Sequence, residues 1–197
     1  MGYSIVRISK FKRLFPFYRM KKNLLYKAPM LLALLASVFA CNKPPHYPNE
    51  PQIKFKAIES YPVFTQRVKK DSLVIVTRFE DGDGDLGLNS EEILNPPYTE
   101  GNNNLNYLVE TFVKKQGAAS FEKIDLPATS GRFFRLSPDN RVGPLEGDLR
   151  YSGIKIPAQN IFQLKAGDEI KFRIQIRDRA LNASNIVDTE AHTIRFP

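Results

Sequence analysis

"EIKFRIQIRD", Glu169 to Asp178, sets Ile170, Phe172, Ile174 and Ile176 on one side and Lys171, Arg173, Gln175 and Arg177 on the other. Strict alternation over eight residues is the mark of a β-strand with one buried and one wet face, because successive side chains point to opposite faces. The same period recurs outward along the chain. "DSLVIVTRFED", Asp71 to Asp81, is richer in β-branched residues and reads as a more deeply buried strand. Further strands are expected at Ile53–Ile58, Tyr107–Lys114, Phe121–Leu126, Arg132–Leu136, Leu149–Ile156 and Ile186–Phe196. Turns rich in Gly, Pro, Asn and Asp separate them. No sustained helical stripe occurs in this part. The pattern predicts an all-β fold, an antiparallel β-sandwich of about seven to nine strands.

Upstream of these strands the composition changes. The formal net charge is +8, from 29 basic and 21 acidic residues. Eight of the basic residues, from Arg7 to Lys27, lie in the first 41 positions, which hold no Asp or Glu. Removing those eight from 29 leaves 21 against 21, so the body is formally neutral and a nucleic-acid partner is not expected.

The segment 20–40 begins with Lys21, Lys22 and Lys27 and continues as an apolar run from Ala28 to Ala40. A bilayer span needs about 20 apolar residues, so this run has the length of a secretory h-region instead. "VFAC", Val38 to Cys41, ends it at the only cysteine in the chain. The segment resembles a bacterial lipoprotein signal peptide, which implies cleavage before Cys41 and lipid attachment to it. Phe39 is bulkier than the residue usual at its place, whereas Val38, Ala40 and Cys41 match. Residues 1–19 read as a long n-region or as lying upstream of the start at Met20. Residues 41–52 carry Pro44, Pro45, Pro48 and Pro51 and form a semi-rigid tether of about 3 Å per residue. Asn42 follows the cysteine in place of an aspartate, which favours the outer membrane, on either its periplasmic or its surface face. The domain proper is 53–197.

"LKAGDEIKFRIQIRDRALNASN", Leu164 to Asn185, resembles the closing part of immunoglobulin-like and fibronectin-like bacterial surface domains, through Leu164, Gly167, Asp168, Asp178, Asn182 and Ser184. Leu181 stands where such turns have Gly. With the signal peptide and "DGDGDLG" after an early strand, the chain resembles small lipoproteins of the Bacteroidota. That resemblance implies an immunoglobulin-like sandwich in the cell envelope.

"FEDGDGDLG", Phe79 to Gly87, places Asp81, Asp83 and Asp85 on alternate positions. Counted as a calcium loop they take the first, third and fifth places, with Asn89 at the ninth and Glu92 at the twelfth. Leu86 occupies the sixth place, where an EF-hand needs Gly, and the flanks are strand-like. A calcium loop on a sandwich is expected rather than an EF-hand. If "DRALNASN" is the last hairpin loop, Asp178 and the side-chain oxygen of Asn182 or Asn185 join from the same end of the sandwich. A solvated turn is the plain alternative. Zinc is not expected, since the two histidines are far apart and Cys41 is committed to lipid. His46 is assigned no role, and His192 reads as a packed strand residue.

No Ser/His/Asp set is visible, and the aspartates are too clustered for separated acid and nucleophile roles, so an enzyme is not expected. The expected role is binding or scaffolding, with the membrane through the lipid anchor and with an envelope protein complex or a polysaccharide as partner. An accessory carbohydrate-binding module, or an enzyme with an unrecognised carboxylate site, are the alternatives. Exposed aromatics on one face would favour the first, with Tyr98, Tyr107, Phe133, Phe134 and Tyr151 as the candidates, and core packing is the expected alternative for these residues. Asp71-Ser72-Leu73 matches an O-glycosylation sequon of Bacteroidota exported proteins, with Ser72 as acceptor on an exposed edge.

Overall fold

The computed structural model describes residues 45–65, 68–126, 129–137, 141–155 and 163–195. The signal segment, Cys41 and the first part of the tether lie outside them. Among the described residues, eight strands form two antiparallel sheets packed face to face, an immunoglobulin-like β-sandwich. The first sheet contains β1 (Gln52–Thr65), β2 (Val68–Asp81) and β5 (Leu145–Lys155), with β2 in the middle. The second runs β4 (Glu122–Ile124), β3 (Tyr107–Lys114), β6 (Glu169–Ile176) and β7 (Val187–Asp188), and β8 (His192–Thr193) also pairs with β6.

The alternation read from the sequence sets the core. Ile170, Phe172, Ile174 and Ile176 of β6 are fully buried, facing inward beside Tyr107, Val109, Thr111 and Val113 of β3. Leu73, Ile75 and Phe79 of β2 and Leu149, Tyr151 and Ile154 of β5 close the layer from the other sheet. Burying an aliphatic side chain of this kind contributes on the order of 2 kcal/mol, so the interleaved faces hold the sandwich together. Tyr107 and Tyr151 stack across it with ring centroids 4.0 Å apart.

Several boundaries differ from expectation, each for a physical reason. The first two strands form a long hairpin, registered from Gln52↔Glu80 to Thr65↔Val68, so β1 runs well past Ile58. Ser72 therefore lies inside the central strand, half-buried between Tyr61 and Lys155, and not on an edge. Residues 132–136 do not form a strand. Their backbone bonds go to the 86–88 loop (Leu88 N to Phe133 O, 3.2 Å; Leu136 N to Leu86 O, 3.2 Å) and to the buried side chain of Asn106. Asn106 accepts from Phe133 N at 2.8 Å and donates to Phe133 O at 3.0 Å. The expected last strand is split into β7 and β8. At the break, Thr189 donates its N–H to Phe172 O and accepts from Phe172 N through its hydroxyl.

The aromatic face does not form. Tyr107, Phe133 and Tyr151 are core residues, and Tyr98 is half-buried and donates to Arg179 O at 2.6 Å. Only Phe134 of the five is exposed.

Candidate metal centre

Asp81 is the last residue of β2, paired with Leu145, and its side chain is fully buried. The chain then leaves the sheet through Gly82–Asp85. Gly84, with φ of 72°, and Gly87, with φ of 90°, adopt the left-handed backbone that glycine tolerates best. A side chain at Gly87 would also strike the Phe134 carbonyl at 2.2 Å. The tight path turns all three aspartates toward one point. One carboxylate oxygen from each of Asp81, Asp83 and Asp85 lies within 4.8 Å of the others.

The surroundings leave these oxygens unmatched. Both oxygens of Asp81, Oδ1 of Asp83 and Oδ1 of Asp85 are buried without a hydrogen-bond partner. The Asp85 backbone N–H is near Asp81 and eases its charge, but does not reach hydrogen-bonding geometry. Burial, followed by the charges of Asp83, Asp85 and Asp178, pushes the Asp81 carboxyl up to about 7. Asp85 is pushed up to about 6, by burial first and then by Asp178 and Asp83, against the pull of Arg179. A buried carboxylate is ordinarily paired or bound to a metal, because desolvation without compensation is expensive.

Asp178 follows β6, and its backbone bridges to Leu86. The loop after β2 and the loop after β6 therefore meet at one end of the sandwich. Ala180 N donates to Asp85 Oδ2 at 3.2 Å across that junction. Asp178 is buried, and burial raises its pKa. Its two oxygens are already engaged by Asn182, from the backbone N–H at 2.7 Å and from Nδ2 at 2.8 Å. Asp178 adds negative charge beside the cluster, while Asn182 serves Asp178.

Asn89 and Glu92, expected at the ninth and twelfth ligand places, are used otherwise. The chain after Leu88 enters a 3-10 turn at Glu92–Leu94. Asn89 Oδ1 caps it by accepting from Glu91 N and Glu92 N at 2.9 and 2.8 Å. Glu92 accepts from Asn89 N at 2.7 Å and forms a two-pronged ion pair with Arg135, which lowers its pKa against the effect of burial. The helical turn that would carry a twelfth-place glutamate back to the ion is replaced by this short turn, which points Glu92 at Arg135.

Three supporting groups were not legible in the loop's own sequence. Gly143 N donates to Asp83 O at 3.0 Å, and a Cβ at Gly84 would meet Gly143 O at 2.4 Å, so a third loop seats the cluster from the side. Arg179 lies between Glu92, 3.9 Å from its Nε, and Asp85, with its Nη1 buried and unpartnered. Pro48 of the tether accepts from Gly82 N at 2.8 Å.

The all-oxygen donor set is of the kind that hard cations take, and oxygens bound to one calcium at about 2.4 Å stand at most about 4.8 Å apart, a limit that the three oxygens meet. The cluster contains no nitrogen or sulfur donor of the kind zinc prefers. Among the described residues, no helix is long and apolar enough to cross a membrane. Comparison with models of known protein families gives no match, and comparison with curated proteins gives no similar sequence.

Proposed function

We propose that this chain is a lipid-anchored β-sandwich of the bacterial cell envelope, with a non-enzymatic binding or scaffolding role, in which calcium closes one end of the domain. Asp81, Asp83 and Asp85 would hold the ion, and it would supply positive charge beyond that of Arg179, which lies nearest Asp85. The observation that carries this proposal is Asp81: fully buried, at a strand end, with both oxygens unpartnered and converging with two further carboxylates. A solvated turn would instead leave its carboxylates in water. The signal-like segment ending at Cys41 supports anchoring to the outer membrane, and the proline-rich tether supports presentation of the domain to a polysaccharide or an envelope protein complex.

Titration of calcium into the full chain, stripped beforehand with a chelator, tests the metal. Saturable binding with a higher melting temperature is expected. The same melting temperature in calcium and in chelator, with no binding heat, would refute the site.

A further inference from the structure

We infer that the loop holding Asp81, Asp83 and Asp85 is also the clasp for the tether, so that cation binding holds Tyr47 and Pro48 against the domain. This rests on the cation reading above and adds a mechanical consequence to it.

Gly82 stands between the first two aspartates, and its backbone is where the tether docks. Its N–H donates to Pro48 O at 2.8 Å. A Cβ there would lie 2.4 Å from Tyr47 O and 2.7 Å from Pro48 O. The tether backbone is therefore pressed against a residue that has no side chain to push it away. A second contact secures the same place: Tyr47 OH donates to Glu146 Oε2 at 2.8 Å, and Glu146 also receives Arg78. Beyond these contacts Pro45 and His46 are exposed.

The coupling follows from the position of Gly82. Without a cation the three carboxylates repel at close range, and opening the turn is one way to separate them. The flanking contacts, Gly143 N on Asp83 O and Ala180 N on Asp85 Oδ2, hold the far half of the loop. Movement therefore concentrates at Gly82–Asp83, and any rotation there withdraws the N–H from Pro48. With a cation bound, Asp81 and Asp83 are tied to one centre on either side of Gly82, and the N–H is held in place. Releasing the clasp moves the pivot of the tether from Tyr47 to buried Pro51. Four residues are added to the free spacer, about 12 Å at about 3 Å per residue. The metal would thus set where the free spacer begins.

The test uses the full chain in detergent with Cys41→Ser and His46→Cys, spin-labelled at position 46, followed by electron paramagnetic resonance beside thermal unfolding. The expected result is a several-fold slower label in calcium than in chelator. On the same background, Gly82→Ala should leave the label fast in both conditions while calcium still raises the melting temperature. If Gly82→Ala does not fold, Tyr47→Phe takes its place and should speed the label in calcium. A label insensitive to calcium in a protein whose melting temperature responds to calcium overturns the clasp and leaves the cation site standing. If neither responds, the cation site falls and the clasp with it.

Discussion

Replacing Asp81 by Asn removes a buried charge while keeping the shape of the side chain, and its effect should change sign with calcium. In the cation-free fold the Asp81 carboxyl is pushed from 3.8 up to about 7, chiefly by burial and then by Asp83, Asp85 and Asp178. One pKa unit corresponds to about 1.4 kcal/mol, so keeping this group ionised in the fold costs about 4 kcal/mol relative to the unfolded chain. Asn avoids that cost but leaves a buried amide without partners, worth about 1–3 kcal/mol in the other direction. The variant in chelator at pH 7.5 should gain on the order of 2 kcal/mol. For a domain of this size that is a rise in melting temperature of roughly 4–8 °C. In calcium at about a hundred times the dissociation constant, the wild type gains about 2.7 kcal/mol from binding. Losing the Asp81 ligand forfeits most of this, so the variant should no longer melt above the wild type.

The pH dependence has a definite sign. A carboxyl whose folded pKa lies above its unfolded value holds its proton more tightly in the fold. The penalty is absent below about pH 4, grows as pH rises, and is complete above about 7. Asp85, pushed up to about 6, adds to the same slope, as does the raised Asp178. His192 opposes it: burial lowers its pKa, so its contribution to stability is lost as pH falls through its ordinary 6.5. The difference between wild type and Asp81→Asn cancels His192. In chelator that difference should widen in the variant's favour by about 2 kcal/mol between pH 5 and pH 7, at about 1.4 kcal/mol per unit until the slope falls off as pH nears the folded pKa of about 7. Differential scanning calorimetry at both pH values, with and without calcium, measures it. An Asp81→Asn protein that is destabilised equally in calcium and chelator, with no pH dependence in the difference, would show that the carboxylate has an unseen partner and that the reasoning is wrong.

Three further outcomes are expected. Glu92→Gln should weaken the Arg135 ion pair but leave calcium affinity within about twofold, as isothermal titration would show; a loss of ten times or more would put Glu92 back among the ligands. Asn106→Ala strips the only acceptor of the Phe133 N–H among the described residues and one of the two donors to Phe133 O, Leu88 N remaining, and should cost about 1–3 kcal/mol in denaturant unfolding. Metabolic lipid labelling of the protein expressed in a lipoprotein-processing bacterium should be lost in Cys41→Ser, and retained label would refute the anchor.

The sequence carried the sandwich where one strand face meets the core along its whole length. β3 and β6 bury alternate residues, so their period is visible in one dimension. Residues 132–136 failed for the opposite reason. "RFFRL" has the composition of a strand, but its backbone groups are claimed by Leu86, Leu88 and a side chain 27 residues away. At β1 the Asn185 side chain accepts from Ile53 N and donates to Ile53 O, taking the place of a neighbouring strand. Such long-range side-chain bonds leave no period to read. Within the site, alternate aspartates identified the triad because their spacing is local. Glu92 was an extrapolation along a loop geometry that ends at Leu86, and the docking of Tyr47 and Pro48 depends on a contact that no spacing encodes.

Leu86 explains why the departure from an EF-hand matters to the fold. A glycine at that place would make a turn and nothing else. Leu86 is fully buried, belongs to the core cluster, and bridges through its backbone to Asp178. Asp81 ends a strand of the first sheet, whereas Asp178 follows a strand of the second. The loop thus runs from one sheet to the other, with its carboxylates in the first half and its core anchor in the second. A cation drawn to the first half would shorten and stiffen that connection, bracing the two sheets against each other where no strand pairs across them. An EF-hand instead delivers its binding energy to the angle between two helices. Here the same chemistry would act on the end of a sandwich, and the Asp85–Leu86 junction is where charge is converted into packing.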